Sequence, residues 1–172
     1  MGTPATQRVF VALGANLGNP VEQLTQARRA IGTLAGVGPL RASSLYRSAA
    51  LGSREPQPDY LNAVVQFESS LNALSLWRAL AQIERALGRV RFGVRNAART
   101  IDIDLLLFGE AVLNSPELTL PHPRMHERAF VLAPLVELAP ELAIPGKGSA
   151  SALRGKLSAQ SCERVAESGA WS

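Results

Sequence analysis

The sequence predicts an α+β domain whose core runs strand, helix, strand, strand, helix, strand. Three observations carry that reading. Apolar, β-prone runs lie at 8–13, 59–69 and 100–109, two helical stripes with their own start and stop signals lie between them, and 172 residues suit one domain. Hydrophobic residues make up 47% of the chain and aromatics only 5%, so the core is expected to be Ala, Val, Leu and Ile.

Arg8-Val9-Phe10-Val11-Ala12-Leu13 reads as the first strand, stopped by the turn-forming cluster Gly14 to Pro20. Asn19 is placed to cap a helix that begins at Pro20, with Glu22 three residues beyond the cap, and Leu24, Ala27, Ile31 and Leu34 recur at helical spacing over 20–35. Pro39 to Tyr46 alternates weakly, as a short strand does. Arg47 to Pro58 carries two prolines and a glycine, which predicts a long loop of the kind that is commonly functional. Asp59 to Ser69 alternates as a strand, Ala73 to Leu87 forms a helix with Leu76, Leu80, Ile83 and Leu87 inward, and Gly88 ends it. Thr100 to Gly109 is the next strand. This βαββαβ order is the ferredoxin-like arrangement, an antiparallel sheet with helices on one face. Beyond it the sequence predicts short strands, a helix from Arg128 to Leu138 and a weaker one after Ser149. Residues 1–172 read as a single domain, with 161–172 as a loosely held tail.

No stretch approaches the roughly 18 apolar residues of a membrane helix, and the single Cys162 cannot close an internal disulfide, so the expectation is a soluble, cytoplasmic chain. Lys+Arg 18 against Asp+Glu 14 gives a net charge of +4, and only Lys147 and Lys156 are lysines. Codon bias accounts for scattered arginines. A cluster of them beside carboxylates is informative, because guanidinium forks suit phosphate.

That cluster exists. In Thr100-Ile101-Asp102-Ile103-Asp104 the period of two turns both aspartates to one face, with Cα atoms roughly 6.5–7 Å apart. A solvated strand face would tolerate such a pair, and a hard divalent cation would use it, since Mg²⁺ takes one or two carboxylates and completes its shell with water and phosphate. Arg89, Arg91, Arg95 and Arg99 stand just before the aspartates in a glycine-containing segment, which together offers both halves of a polyphosphate site. The P-loop pattern is absent, and Gly14 to Gly18 reads only as a turn. His122 and His126 have the i, i+4 spacing of a zinc pair, but Pro121 and Pro123 oppose a helix, so His122 reads either as a phosphate contact beside Arg128 or as a satisfied loop histidine. Tyr60 and Asn62 share a strand face, which suits either stacking on a flat heterocycle or plain core.

Taken together, Val11 to Gly18, Ser43 to Ser48, Gln57 to Ala63, Gly88 to Arg91, Arg99 to Leu105 and Leu118 to Pro123 resemble the 6-hydroxymethyl-7,8-dihydropterin pyrophosphokinase family, in order over about 8–142. The resemblance implies a ferredoxin-like core in a three-layer α/β/α arrangement and transfer of pyrophosphate from ATP to the dihydropterin, giving AMP and the pterin diphosphate of folate synthesis. It implies that Asp102 and Asp104 hold two Mg²⁺ ions, that Arg89 and Arg99 act catalytically on the polyphosphate, and that Glu84, Arg91, Arg95, Leu105, His122 and Arg128 lie on the ATP side. Tyr60 and Phe130 would sandwich the pterin, with Asn62 as amide partner and Ser48, Ala50 and Leu51 in the loop that reads its edge. Loops 47–58 and 88–98 would close over both substrates, with little need for a protein base, and the partners would be two small molecules bound by a monomer, with neither nucleic acid nor membrane.

Ala49-Ala50, Ala81, Asn96 and Pro123 depart from the family pattern without touching a metal ligand or either central arginine. Two other classes fit parts of the same sequence. A ferredoxin-like nucleic-acid-binding module is also basic, but its sheet carries exposed aromatics where this one carries aspartates. A two-metal nucleotidyl transferase or nuclease uses D-x-D equally well, and its products would distinguish it.

Overall fold

In the first strand, β1 (Gln7–Ala15), alternation sorts side chains to two cores at once: Val9, Val11 and Leu13 enter one hydrophobic cluster and Phe10 the other. The structure, a computed structural model, describes residues 5–50, 57–88, 101–166 and 171. The expected end of β1 at Leu13 is corrected, because Gly14 and Ala15 continue the strand, paired with Asn62 and Leu61. Asn19 then caps α1 (Pro20–Gly32), its side chain accepting from the Glu22 amide at 3.2 Å.

The weak strand at 39–46 resolves into β2 (Arg41–Ala42) and β3 (Leu45–Ser48), both paired antiparallel with β4 (Tyr60–Ser69). The second helix, α2 (Ala73–Gly88), begins where Asn72 Oδ1 accepts from the Ser75 amide at 2.8 Å. β5 (Asp102–Phe108) returns beside β1. Neighbours in the main sheet run β3, β4, β1, β5, all antiparallel, which is the order expected of a ferredoxin-like sheet. α1 and α2 supply Leu24, Ala27, Ile31, Leu76 and Leu80 to one cluster, each close to fully buried. Each such Leu or Ile contributes about 1.5–3 kcal/mol relative to exposure.

The alternation of faces along 101–108 holds only to Leu106. The β1–β5 register shifts between Phe10 and Val11, so that Val11 faces Leu105 and Phe10 faces Leu107. A bulge of this kind inserts one residue and inverts the faces beyond it, which carries Leu107 into the second cluster beside Leu106 and Phe108 into the first.

That second cluster is closed by the later elements. Two short hairpins, β6 (Leu113–Asn114) with β7 (Thr119–Leu120) and β8 (Ala143–Ile144) with β9 (Gly148–Ser149), frame a 3-10 turn at Met125–Glu127 and α3 (Ala129–Leu138). Val131, Leu132 and Leu135 of α3 pack on Phe10, Val64 and Leu106, and α4 (Ala150–Gly155) adds Ala150.

Within the stretch 161–172 expected as a loosely held tail, the described residues 163–166 and 171 are held against the fold. β10 (Glu163–Ala166) pairs with β3, and Trp171 is 2% exposed. Its indole Nε1 donates to Ser43 O at 3.0 Å, its carbonyl accepts from Thr25 Oγ1, and the Arg28 guanidinium lies 5.0 Å from its ring centroid. Composition hides this, because Trp171 is one buried ring among polar residues.

Candidate active site

Three adjacent strands, β4, β1 and the edge strand β5, bring the polar site together. Gly14 on β1 faces Asn62 on β4 across one side and Asp102 on β5 across the other, while Ala12 faces Asp104. Ile103 and Leu105 are buried in the first cluster, so alternation sends both half-buried aspartates to the opposite face. There a cavity of about 430 Å³ opens, walled by Asp102 and Asp104, by Asn62, Tyr60 and Ser48 from β3 and β4, and by Arg124, Arg128 and Phe130 at the start of α3.

One wall suits a flat, hydrogen-bonding ligand. Asn62 is 4% exposed, and its Nδ2 donates to Ser48 Oγ at 2.8 Å and to Tyr46 O at 3.2 Å, which fixes the orientation of the amide. Tyr60 pairs with Ser48 at the mouth of β4, where burial, and after it the Asp102 carboxylate, pushes its hydroxyl pKa up. Phe130 stands in the first turn of α3 with the Arg128 guanidinium 5.7 Å from its ring centroid, a cation–π distance.

The other wall suits phosphate and metal. β5 is an edge strand of the described sheet, and Glu84 of α2 reaches its outer side, accepting from the Ile103 amide at 2.7 Å, between the two aspartates. His122 follows β7, its amide donating to Leu106 O at 2.9 Å and its Nδ1 accepting from the Arg124 amide at 3.2 Å. That assigns the proton of the neutral ring to Nε2. Burial lowers its pKa, the Asp104 carboxylate opposes that, and Arg128 and Arg124 reinforce it, so the ring is neutral near pH 7. Among the described residues no group of three or more His, Cys, Asp and Glu side chains converges. Two oxygen-only donors in a roomy cavity fit Mg²⁺, whose shell is completed by water and phosphate, better than a metal that needs an all-protein cage.

The family model for 7,8-dihydro-6-hydroxymethylpterin-pyrophosphokinase matches residues 10–140. The chain belongs to this family. Among the pyrophosphokinases it resembles, the 2-amino-4-hydroxy-6-hydroxymethyldihydropteridine pyrophosphokinase of Haemophilus influenzae is 45% identical over 136 residues, 79% of this chain and 84% of that protein. The enzyme of the same name from Pseudomonas aeruginosa is 46% identical over 139 residues, covering 81% and 85%. The fold is also similar to the crystal structure of wild-type Plasmodium falciparum HPPK-DHPS with pterin and p-hydroxybenzoate, at a TM-score of 0.69 and 16% identity. That match covers 91% of this chain and 44% of that one, so this pyrophosphokinase domain spans less than half of the longer protein.

Of the residues singled out in the sequence, Ser48, Tyr60, Asn62, Asp102, Asp104, Arg128 and Phe130 all line the one cavity. Glu84 and His122 stand beside it through the contacts above. Ala50 is half-buried outside the lining, and Leu105, 4% exposed, packs in the first core cluster. Arg89, Arg91, Arg95, Arg99 and Leu51 lie outside the described residues.

Sequence reasoning passed over Gly14, Arg124, Gln160 and Ser161, which share the wall of this cavity. The Leu120–Arg128 segment carried a signal for Arg124 in its basic residues. For Gln160, in a polar stretch without a motif, none was available. Glu137 was missed too: its carboxylate accepts from the Ser44 amide at 2.9 Å and from Tyr46 Oη at 2.7 Å, tying α3 to β3 behind Asn62.

Proposed function

We propose that this chain transfers the terminal pyrophosphoryl group of ATP to the hydroxymethyl oxygen of 6-hydroxymethyl-7,8-dihydropterin, as a step of folate biosynthesis. The observation that carries the reading is the shared cavity, in which the carboxylate pair of β5 faces the amide and ring groups of β4 and α3.

In this reading Tyr60 and Phe130 sandwich the pterin and Asn62, pre-set by Ser48 and Tyr46, hydrogen-bonds its edge. The hydroxymethyl oxygen attacks the β-phosphorus and releases its proton to solvent water, the bond from that phosphorus to the oxygen bridging to the α-phosphorus breaks, and AMP leaves in line. Asp102 and Asp104 would hold two Mg²⁺ ions, which when bound neutralise phosphate charge and orient the displacement. Arg128 and the Nε2–H of His122 address the polyphosphate, Glu84 keeps β5 in place through Ile103, and Arg89 and Arg99 are read as the groups that meet the transferred phosphates. No side chain is needed as a base, because positioning and charge neutralisation supply the acceleration in phosphoryl transfer.

The architecture is read as α/β/α, since α1 and α2 share one core cluster with the sheet and α3 and α4 share the other. The chain is read as one cytoplasmic domain, acting as a monomer on small molecules. No described helix is long and apolar enough to cross a membrane.

Incubation of the pure protein with ATP, Mg²⁺ and the hydroxymethyldihydropterin tests this reading. AMP is expected to form only when the pterin is present. AMP formation independent of the pterin, or release of free pyrophosphate, would overturn it.

A further inference from the structure

We propose that Gln160 is a positioning residue of the active site: its side-chain amide fixes the turn that presents Arg128 and Phe130 to the substrates. Gln160 Oε1 accepts from the Ala129 amide at 2.8 Å, and Gln160 Nε2 donates to Glu127 O at 2.9 Å. The two anchored residues bracket Arg128, whose guanidinium lies over the Phe130 ring, and Gln160 lines the same cavity as both.

The need for an outside partner follows from the local sequence. Arg128 is the N-cap of α3, with extended backbone at φ −122° and ψ 110° and no side-chain capping bond. The Ala129 amide is one of the four that a helix start leaves without an intrahelical acceptor. A primary amide accepts and donates in one plane, so it serves Ala129 N–H and Glu127 C=O together. It is also neutral. A carboxylate at 160 could accept from Ala129 but not donate to Glu127, and it would place negative charge in a cavity wall that Arg128 keeps cationic.

Gln160 is itself held. Its amide donates to Leu157 O at 3.0 Å in the turn after α4, and β10 follows three residues later on β3. It lies beyond the 10–140 stretch that carries the family match, so the wall of this site is completed by the C-terminal segment. The proposal rests on reading the cavity as the pterin and ATP site.

Steady-state kinetics of Gln160→Ala and Gln160→Glu, with amide hydrogen exchange at Ala129, tests it. Loss of the paired hydrogen bonds in Gln160→Ala is expected to raise KM for both substrates about five- to tenfold with kcat within about twofold, and to speed Ala129 exchange by a similar factor. Gln160→Glu raises KM for ATP further than Gln160→Ala does. In an Arg128→Ala background, Gln160→Ala adds nothing to the ATP KM. Unchanged KM values in Gln160→Ala, or an effect that simply adds to that of Arg128→Ala, would falsify the proposal. If the wild-type protein forms no AMP from this pair, the functional reading falls. Ala129 exchange then still decides whether Gln160 holds the turn: acceleration upholds that, and unchanged exchange overturns it.

Discussion

Gly14 and Asn62 face one another across β1 and β4 so closely that a Cβ at position 14 would stand 3.2 Å from Asn62 Oδ1. The amide has little freedom to retreat, because its Nδ2 is committed to Ser48 Oγ and Tyr46 O. Gly14→Ala therefore sets two effects against each other. Removing a strand glycine stabilises the fold by roughly 0.5–1 kcal/mol through the unfolded chain, and disturbing one hydrogen bond costs about the same. Thermal unfolding is expected to move little while KM for the pterin rises about fivefold. A variant with unchanged pterin KM would show that the Asn62 amide does not face that substrate.

Asp104→Asn and Asp102→Asn are expected to lower AMP formation by about a hundredfold or more at saturating Mg²⁺, since a metal-held phosphate is worth several kcal/mol in the transition state. Folding behaves oppositely. Both aspartates are half-buried on one face of β5, so neutralising Asp104 relieves repulsion between them, and the melting temperature of Asp104→Asn holds or rises. Near wild-type turnover with excess Mg²⁺ in either variant would remove the carboxylate pair from the mechanism.

The residues that were legible in the sequence are those whose position follows from a local rule. Asp102 and Asp104 share a face because strands alternate, Asn19 caps α1 because an Asx side chain precedes Pro20, and Tyr60 and Asn62 fall on one side of β4. The bulge at Leu106 was not legible, since nothing in Leu105-Leu106-Leu107-Phe108 distinguishes the residue that is skipped. Glu137, Gln160 and Trp171 reach their partners only through tertiary docking, with sequence separations of 93, 31 and 128 residues to Ser44, Ala129 and Ser43.

Tyr46 gives the fold an alkaline limit. Its pKa is raised above the ordinary 10.0, first by burial and then by the adjacent Glu137 carboxylate. Above pH 10 the unfolded chain loses this proton while the folded chain keeps it, so stability is full below that pH and falls as pH rises toward the folded value. Denaturant midpoints measured at pH 8, 10 and 11 should fall for the wild type and fall less steeply for Tyr46→Phe. Parallel slopes in the two proteins would mean that Tyr46 ionises as freely in the fold as outside it.

Trp171 is the clearest case in which a short segment carries stability out of proportion to its length. Its ring is buried against the first core cluster, its Nε1 reaches the Ser43 carbonyl, and its own carbonyl takes the Thr25 hydroxyl. Ser43 precedes Ser44, which Glu137 grips from the other side of the sheet, so the ring braces the backbone that leads into β3 and Ser48. Trp171→Ala removes packing and leaves a buried carbonyl without its donor, at a cost of about 3–5 kcal/mol. Trp171→Phe keeps most of the volume and loses the hydrogen bond, at about 1 kcal/mol. Urea unfolding should rank wild type, Trp171→Phe and Trp171→Ala in that order. Equal midpoints for Trp171→Ala and wild type would show that the ring does not brace the backbone leading into β3.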